Sequence, residues 1–524
     1  MKAILVNPPI PKTFWSFESV LEITGKSAVM PPLGLITVAA LLPDDWDLKL
    51  IDMTFEKPAE QDWDECDVVL TSGMSVQYHG ILDVVREGKR RGKTVLVGGP
   101  WAFHFPEEAL RAGADLVVAG EGELTVPRLL EHLRRGESGI IIRAEGLADM
   151  ETSPPPRYDI LDLDRYLNVS IQFSRGCPFQ CEFCDVTLML GHKVRTKRPA
   201  QVLTELDMLY RSGCRGYIFV VDDNFAGSSV RAKELLRAMA PWQEAHGRPF
   251  QFYTQASVNM AGDEELLDLM VDAGFYKVFL GIETLDEESL KGAKKNQNVA
   301  TDPEWACERI NRAGLGIIAG CIIGFDDEKP GADRRLIDFA RRTNIPEMFG
   351  SLLQAPDGTA LWHRLKKEGR LLEGAQDRLG NQTSGMNFTP TRPFSQIVRE
   401  FVNLYEVLYA RDFYLDRAFR HVTNMKRSKV KKPAKMPRLY ELRAVFTILL
   451  RHGVLYPSRL KFWKYLGTLL WSFPEQVPRF LDYCVAGEHY SDFLYEIKEG
   501  LSAQRTDPAP SGDMNHPPVE ASSR

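Results

Sequence analysis

The 524-residue chain is predicted to be an α/β protein with two parallel-sheet domains followed by a mostly helical domain. Short apolar runs alternate with amphipathic helical patterns over residues 1–145, which predicts the first sheet. A second alternating series over residues 166–380 predicts another. From residue 381 to 500 the strand patterns stop, and helical segments rich in aromatic and basic residues take over. A chain of this length has room for two or three such domains.

The first domain is predicted to be a doubly wound parallel sheet. Its strand-like runs lie at residues 3–6, 48–51, 68–71, 94–97 and 116–119. Helical patterns separate them, as parallel strands with right-handed crossovers require. Ligands of such sheets bind at the carboxyl ends of the strands. There Gly98, Gly99 and Gly120 would let the backbone approach a large flat ligand closely.

The central domain is predicted to be a partial (β/α)6 barrel. A proline-rich stretch at 152–157 marks a linker over 146–165. The barrel strands are then expected at 169–173, 217–221, 252–257, 278–283, 315–325 and 349–354. The active site of a barrel lies at the carboxyl ends of its strands. Gly324, Asp326 and Gln354 also lie at strand ends, where packing is the expected role.

Three cysteines follow the first predicted barrel strand directly. Cys177, Cys181 and Cys184 form a C-x3-C-x2-C run on one short loop. A [4Fe–4S] cluster normally takes four cysteines, so three would leave one iron open for another ligand. The alternative is a zinc site with His192 as fourth ligand. Zinc sites usually pair two ligand hairpins, and the sequence has no second one, so an iron–sulfur cluster is favoured.

This cysteine spacing resembles that of the radical S-adenosylmethionine (SAM) superfamily. Phe183 also stands at the aromatic position usual in that superfamily. The resemblance implies that Cys177, Cys181 and Cys184 hold a [4Fe–4S] cluster whose open iron is chelated by the methionine part of SAM. Reduction of the cluster then cleaves SAM to a 5′-deoxyadenosyl radical.

The same resemblance implies a set of SAM-binding residues at strand ends. Asp222, Asp223 and Asn224 follow the second barrel strand, where the superfamily binds the methionine amino group. Ser257 ends the next strand and would face the ribose hydroxyls. Glu283 closes a Gly-Ile-Glu strand of the type that lies along the adenosine. Each of these strand-end motifs is weak evidence alone. Their order after the cysteines is what supports their assignment to SAM binding.

The first domain resembles the cobalamin-binding domain of one radical SAM subgroup. Its strand ends and the Pro-Pro-Leu-Gly-Leu segment at 31–35 carry that resemblance, which implies cobalamin near Gly98, Gly99 and Gly120. The loop over 7–17 lacks the histidine that replaces the lower axial ligand in many cobalamin domains. Neither nearby histidine, at positions 79 and 104, is expected to be an axial ligand. A flavodoxin-like module without ligand is the alternative.

The helical region admits two interpretations. Its apolar and aromatic runs at 444–450 and 462–473 are interrupted by basic residues and are too short to span a bilayer. With the basic cluster at 426–435, they fit helices lying peripherally on an anionic membrane surface. The favoured alternative is a helical cap packed on the barrel. Residues 501–524, rich in Pro, Ser and Asp, are predicted to be disordered.

Composition narrows the compartment and the partners. The net charge of −6 and the absence of a basic recognition module argue against nucleic-acid binding. The first residues resemble a buried strand rather than a signal peptide, which predicts a cytoplasmic protein. A reducing compartment suits the eight cysteines, of which the five outside the loop are expected to be structural.

The whole layout resembles a clade that includes hopanoid C-2 methylases and the methylases of bacteriochlorophyll side chains. Short sequence motifs at 14–17, 221–225 and 381–388 are similar to motifs of that clade. The resemblance implies a methyltransferase that acts on an unactivated carbon through the 5′-deoxyadenosyl radical and methylcobalamin. A hopanoid or other polycyclic or isoprenoid-type lipid is the implied substrate, and a flavodoxin or ferredoxin the reductant. The alternatives are a cobalamin-containing cyclase or oxidoreductase without methyl transfer, and a non-catalytic cobalamin or redox sensor.

Overall fold

The structure, a computed structural model, describes residues 1–374, 379–380, 383–426 and 439–502. It confirms the predicted α/β class, with two six-stranded parallel sheets followed by a helical region. Three predicted features lie wholly or partly outside the described residues: the start of the 381–388 motif, the basic cluster from 427 onward and the tail from 503 onward.

The first sheet is doubly wound. Its strands are β1 (Lys2–Asn7), β2 (Asp47–Asp52), β3 (Val68–Ser72), β4 (Thr94–Gly98), β5 (Leu116–Ala119) and β6 (Ile140–Arg143). They pair in parallel in the order β2-β1-β3-β4-β5-β6. The sixth strand was not predicted, because a four-residue run at a sheet edge carries little pattern. The order reverses between β1 and β3, which is where such sheets bind ligands.

Helices cover both faces of this sheet. They are α1 (Glu18–Thr24), α2 (Leu33–Ala39), α3 (Glu60–Glu65), α4 (Tyr78–Arg90), α5 (Gly99–His104), α6 (Pro106–Arg111) and α7 (Gly122–Arg134). Alternate residues of β1 enter opposite layers, with Ile4 and Val6 in one core and Ala3 and Leu5 in the other.

The second sheet is an open barrel. Its strands and the ribbon beside them are β7 (Val169–Ile171), β8 (Ser174–Arg175), β9 (Arg195–Thr196), β10 (Gly216–Val220), β11 (Phe250–Ala256), β12 (Phe275–Glu283), β13 (Gly316–Ile323) and β14 (Glu347–Leu352). Six of them pair in parallel in chain order from β7 to β14, so those two strands are the edges. The antiparallel pair of β8 and β9 flanks the cysteine loop.

The barrel helices follow the same alternation. They are α8 (Val186–Leu190), α9 (Pro199–Arg211), α10 (Ser229–Ala245), α11 (Glu264–Ala273), α12 (Glu287–Gly292), α13 (Asn296–Val299), α14 (Pro303–Ala313) and α15 (Ala332–Thr343). On β11, Phe250 and Phe252 belong to the core beneath the helices. Gln251, Tyr253 and Gln255 alternate with them and point into the barrel, as the period of a strand requires.

The last helices close the barrel. They are α16 (Ala360–Lys367), α17 (Phe394–Leu408), α18 (Arg411–Asn424), α19 (Leu439–Leu450), α20 (Arg459–Ser472) and α21 (Val477–Ser502), with a π-helical turn at Arg451–Leu455. The Tyr405 hydroxyl of α17 donates to the carbonyl of Gly350 at 2.8 Å, and Tyr490 of α21 donates to Glu347 at 2.9 Å. None of the helices in the described part of the chain combines the length and apolarity needed to cross a membrane.

Candidate functional site

The cysteine loop runs from β8 to α8 at the carboxyl end of the barrel. Cys177, Cys181 and Cys184 are free thiols, all half-buried. The side-chain amide of Asn224 donates to the sulfur of Cys177 at 3.7 Å, and that of Gln297 to the sulfur of Cys181 at 3.5 Å. Burial raises the pKa of the Cys177 thiol, and the Asn224 hydrogen bond opposes that rise by stabilising the thiolate.

This donor set fits an iron–sulfur cluster. Three soft thiols on one loop, two of them receiving N–H donors, are the ligands and the sulfur hydrogen bonds that such clusters use. No group of three or more His, Cys, Asp or Glu side chains among the described residues converges on a single ion position. Cysteines that each bind a different iron do not have to converge in that way. His192, the alternative zinc ligand, is exposed.

The residues that follow β10, Asp222, Asp223 and Asn224, have different surroundings. Asp222 is fully buried and accepts hydrogen bonds from the Phe173 amide at 2.8 Å and the Ser174 hydroxyl at 2.6 Å, so it fixes the start of the cysteine loop. Burial raises its pKa to about 6. Asp223 has its pKa raised to about 7, by burial and then by the nearby carboxylates of Asp222 and Asp185. Asn224, the third residue of this run, donates the hydrogen bond to Cys177 described above.

Glu283 occupies a strained position at the end of β12. Its φ is 64°, which a non-glycine residue rarely adopts and which clusters at functional sites. Its carboxylate forms a buried ion pair with Lys295, whose ammonium lies 5.8 Å from the ring centre of Phe183 in the cysteine loop. Ser257 follows β11 at the same edge of the barrel and is half-buried. The five predicted SAM residues therefore lie at the carboxyl edge of neighbouring strands.

The segment over 294–298 was missed by sequence reasoning. It supplies Lys295 and Gln297 to the site, and Asn298, whose side-chain amide donates to the carbonyls of Gly281 and Ile282 at 2.9 Å each. Among the described residues, the buried amide oxygens of Asn224, Gln297 and Asn298 have no hydrogen-bond partner. Acceptors of this kind around the cysteines suit a polar ligand. The run of lysine and amide residues was the only available signal.

A buried charge network joins the first domain to the cysteine loop. Arg175 contacts Glu121 at 2.8 Å and Glu123 at 2.9 Å, and Arg195 contacts Glu121 at 2.9 Å. Burial opposes ionisation of Glu123, but the hydrogen bonds and charge of Arg175 outweigh it and lower its pKa. Because the two arginines lie on β8 and β9, these pairs set the cysteine loop against the loop that follows β5.

A second contact joins the carboxyl edge of the first sheet to the end of the cysteine loop. His104 ends α5, and its two ring nitrogens lie 3.2 Å from a carboxylate oxygen of Asp185 and 3.1 Å from the carbonyl of Asp357. Both nitrogens are thus held by protein oxygens. His79, the other histidine considered, is exposed.

The surroundings of that interface fit a large flat ligand with apolar faces. Ile10 and Met74 follow β1 and β3, and Leu147 and Leu188 lie near the cysteine loop. All four are exposed despite being large and apolar. Corrin is a ligand of this shape, so the residues present are compatible with cobalamin between the two domains.

The predicted corrin glycines end two strands of the first sheet. Gly99 has φ 87° and Gly120 has φ 135°, both in the region that favours glycine. A side chain at Gly99 would meet the Ser72 hydroxyl at 2.3 Å, and one at Gly120 would meet Ala144 at 2.4 Å. Their close approaches are therefore to protein atoms. Gly98 is extended, with Val118 at 3.8 Å as the nearest atom to an added Cβ.

The helices that close the barrel also contact the cysteine loop. Arg364 on α16 donates to Glu182, which lies between the second and third cysteines, at 2.6 Å. The same guanidinium contacts Asp326 at 2.7 Å, and Arg370 also pairs with Asp326. Asp326, expected to be a packing residue, thus helps to orient a side chain that holds the loop.

A cavity of about 830 Å³ occupies the barrel interior. Aromatic side chains from the strands and the covering elements line it, including Trp15, Tyr253, Phe279 and Phe349. The ring of Trp15 lies 5.7 Å from that of Phe279 and 5.1 Å from that of Phe349. The lining reaches from α19 and α21 to the middle of the strands, so the cavity lies toward their amino ends, opposite the cysteines.

The fold and the site together define a class. Family models match the B12 binding domain over residues 27–130 and the radical SAM superfamily over 171–340. A domain of unknown function (DUF4070) matches over 359–503. The protein is thus a radical SAM enzyme that carries a B12-binding domain, and its cofactors are a [4Fe–4S] cluster, SAM and cobalamin.

Curated relatives identify the family within that class. The chain is 46% identical to "Uncharacterized methyltransferase sll1242" of Synechocystis sp., with 97% of this chain and 94% of the relative covered. It is 31% identical to "Hopanoid C-2 methylase" of Rhodopseudomonas palustris, with 88% of each covered. The chain belongs to this family of cobalamin-dependent radical SAM methyltransferases. The cyclase and sensor alternatives are not favoured.

Solved structures share the fold. TsrM from Kitasatospora setae, with cobalamin and a [4Fe–4S] cluster bound, aligns over 96% of this chain and 100% of that chain with a TM-score of 0.60 at 15% identity. OxsB, with aqua-cobalamin and SAM bound, aligns over 97% of this chain and 82% of that chain with a TM-score of 0.54 at 16% identity.

Proposed function

We propose that the methyl acceptor is an unactivated carbon of a polycyclic or isoprenoid-type lipid, such as a hopanoid. The observation that carries this proposal is the aromatic cavity of about 830 Å³ inside the barrel. Its volume lies within the range of about 300–1,000 Å³ typical of small-molecule sites. Relatives named as hopanoid C-2 and C-3 methylases support the same class.

Charged and amide side chains also line the cavity, and they suit one oriented end of such a lipid. Lys277 and Glu347 form an ion pair of 2.5 Å on its wall. Gln255 also lines the cavity, near the carboxyl end of β11. It lies two residues before Ser257, one of the predicted SAM-binding residues. The apolar body would pack on the aromatic rings, while the reacting carbon would point past Gln255 toward the cysteine loop.

On this proposal the chain's own residues hold the cofactors in place. Cys177, Cys181 and Cys184 ligate the cluster, and Asp223, Asn224, Ser257 and Glu283 surround SAM. Asp222 acts through the backbone of Phe173 and through Ser174. Gly98, Gly99 and Gly120 shape the edge that receives cobalamin. When bound, these cofactors supply the radical chemistry and the methyl group that an unactivated carbon requires.

The environment follows from the same chemistry. The protein is proposed to work in the cytoplasm, where a flavodoxin or ferredoxin reduces the cluster. Its helical region would contact the inner face of the membrane peripherally, because a polycyclic lipid resides there.

The experiment is an anaerobic turnover assay. Reconstituted protein would be supplied with cobalamin, dithionite, methyl-labelled SAM and a crude lipid extract, and products read by mass spectrometry. A labelled lipid formed together with 5′-deoxyadenosine and S-adenosylhomocysteine is the expected result. Both nucleosides with a labelled water-soluble product and no labelled lipid would overturn the lipid proposal while leaving the methyltransferase intact.

A cavity-filling variant tests the location of the acceptor. Ile318 lines the cavity from β13, and Ile318→Trp would place an indole in its volume. We expect at least a tenfold loss of lipid methylation, with 5′-deoxyadenosine formation retained, because the cysteine loop is untouched. Val230→Trp is the matched control, since Val230 is exposed on the outer helix α10. Unchanged lipid methylation in Ile318→Trp would place the acceptor elsewhere.

A further inference from the structure

Two helices of the cap leave large apolar side chains in solvent. The predicted cap is present, since α17, α18 and α21 contribute residues to the barrel core. On α19, α20 and the π-helical turn between them, however, many of the outward side chains are large and apolar. We call them the apolar face, defined by Leu442, Phe446, Leu455, Leu460, Trp463 and Trp471. Leu460 is 80% exposed and Trp471 is 91% exposed, so the fold itself does not bury them.

The apolar face continues from α20 onto the turn before it. On α20, Leu460, Trp463 and Trp471 recur at helical spacing on the side opposite the buried Phe462 and Leu466. Trp463 joins this stripe to the preceding turn, because its indole N–H donates to the carbonyl of Gly453 at 2.9 Å. A contiguous exposed apolar area of this kind marks an interaction surface.

The charged side chains on the segment that carries the apolar face are all basic, although Arg451 and Lys461 pair with carboxylates of neighbouring helices. Residues 442–474 contain five Lys or Arg and no Asp or Glu, although the whole chain is acidic. Arg443, Arg459 and Lys464 are exposed on the same two helices. An apolar helix face flanked by cations complements an anionic lipid surface, whereas packing the same face of two copies together would bring like charges close.

The apolar face also borders the lipid cavity. Leu442 and Val445 are exposed on α19, and both line the cavity of the barrel. Ile448, one turn further along the same helix, is buried and lines it too. The cavity therefore reaches the surface beside the apolar face.

We propose that the apolar face docks on an anionic lipid bilayer and that the cavity opens into that bilayer beside Leu442 and Val445. The docking stands on the surface alone, and the opening rests on the proposed lipid substrate. A water-insoluble acceptor would then pass from the membrane into the barrel without crossing water. Basic side chains near an anionic surface are attracted to it, and the apolar side chains that enter the bilayer add to this attraction.

The docking is tested by flotation of the full chain with vesicles, without turnover. We expect binding to phosphatidylglycerol–phosphatidylcholine vesicles, weaker binding to pure phosphatidylcholine, and a decrease with salt. Leu460→Glu with Trp471→Glu should reduce the bound fraction at least tenfold, because both carboxylates would face the bilayer. Val230→Glu is the matched control, since Val230 is 69% exposed but lies on α10 of the barrel, and it should bind as the wild type does.

Three results would overturn the docking. They are no vesicle binding by the wild type, equal binding by the double variant, and a wild-type dimer in sedimentation that the double variant abolishes without any vesicle binding. The last result would make the apolar face an interface between two copies of the chain.

The opening has its own test. The double variant should lose methylation of acceptor lipid embedded in vesicles and keep methylation of the same lipid in detergent micelles. Equal loss in both formats would overturn the opening. Absence of lipid methylation by the wild type in either format would instead contradict the proposed substrate, and the flotation result would stand.

Discussion

The two ends of the barrel are built in different ways. At the carboxyl end, the cysteine loop is held by ion pairs, with the buried Glu121 and Glu123 on one side and the partly exposed Arg364 on the other. At the amino end, the cavity is lined mainly by rings and aliphatic side chains, with Lys277 and Glu347 as an ion pair on its wall.

The difference reflects what each end has to do. Cofactor chemistry needs fixed distances, and buried ion pairs with several hydrogen bonds tolerate little displacement. A lipid site needs volume and apolar surface, which aromatic rings supply without directional demands. Disruption at the carboxyl end should therefore abolish or uncouple the reaction, whereas disruption at the amino end should change substrate use or stability.

The largest expected effect is at the cysteine loop. Cys181→Ala removes one of three thiols, so iron content should fall and 5′-deoxyadenosine formation should drop below detection, while cobalamin binding persists in the first domain. Iron analysis, nucleoside chromatography and the corrin absorption spectrum measure the three quantities. Cys214→Ala, a half-buried cysteine outside the loop, should keep all of them. Retained 5′-deoxyadenosine in Cys181→Ala would remove the cluster assignment.

The next effect is at the charge network between the domains. Glu121→Ala leaves Arg195 buried without its carboxylate and Arg175 with Glu123 alone, so the free energy of unfolding should fall by about 3 kcal/mol. Methyl product per 5′-deoxyadenosine should fall by about tenfold, because the cysteine loop loses its register against the first domain. Urea unfolding and product ratios check both.

The control for that network is an exposed ion pair of the same domain. Glu145 is 89% exposed and contacts Arg128, so Glu145→Ala should change stability by less than about 0.5 kcal/mol. Similar losses in the Glu121 and Glu145 variants would mean that the carboxyl end is not locked by its buried charges.

The smallest effect is an acid dependence of the cap. His421 is fully buried and receives a hydrogen bond from the Asn311 amide. Burial, with the nearby cations Arg479, Lys277 and Arg417, lowers its pKa to about 3. Because the unfolded imidazole has a pKa near 6.5, the unfolded state binds the extra proton first, and stability is lost as pH falls from about 6.5 toward 3.

The loss assigned to His421 is measurable by urea unfolding. Between about pH 7 and pH 5 the imidazole should account for about 2 kcal/mol. His421→Gln keeps a side chain that can accept the hydrogen bond from Asn311, but it has no titrating group. The free energy of unfolding of this variant should therefore fall by about 2 kcal/mol less than that of the wild type between about pH 7 and pH 5. Parallel losses in wild type and variant would show that His421 is not held neutral.

Local sequence patterns predicted a cysteine site but gave little sign of the residues that support it. The spacing from Cys177 to Cys184, and the acidic run that follows β10, are contiguous in the chain and therefore visible in it. Lys295 and Gln297 come from the start of α13, a four-residue helix that is too short to show a periodic pattern. Arg175 and Glu121 meet across 54 residues, and no spacing rule relates them.

The sequence by itself determined the fold class and, through the family resemblance of its motifs, the cofactors, because apolar periodicity and cysteine spacing are local properties of the chain. Tertiary structure decided the order of the strands in the sheets, the cavity, and which side chains of the two apolar runs stay exposed. Trp15 and Phe349 come from opposite parts of the chain, and they line one space only because the loop after β1 folds into the open side of the barrel. The physical reason is that a cavity is the space between packed elements, and its volume depends on how they pack rather than on any one segment.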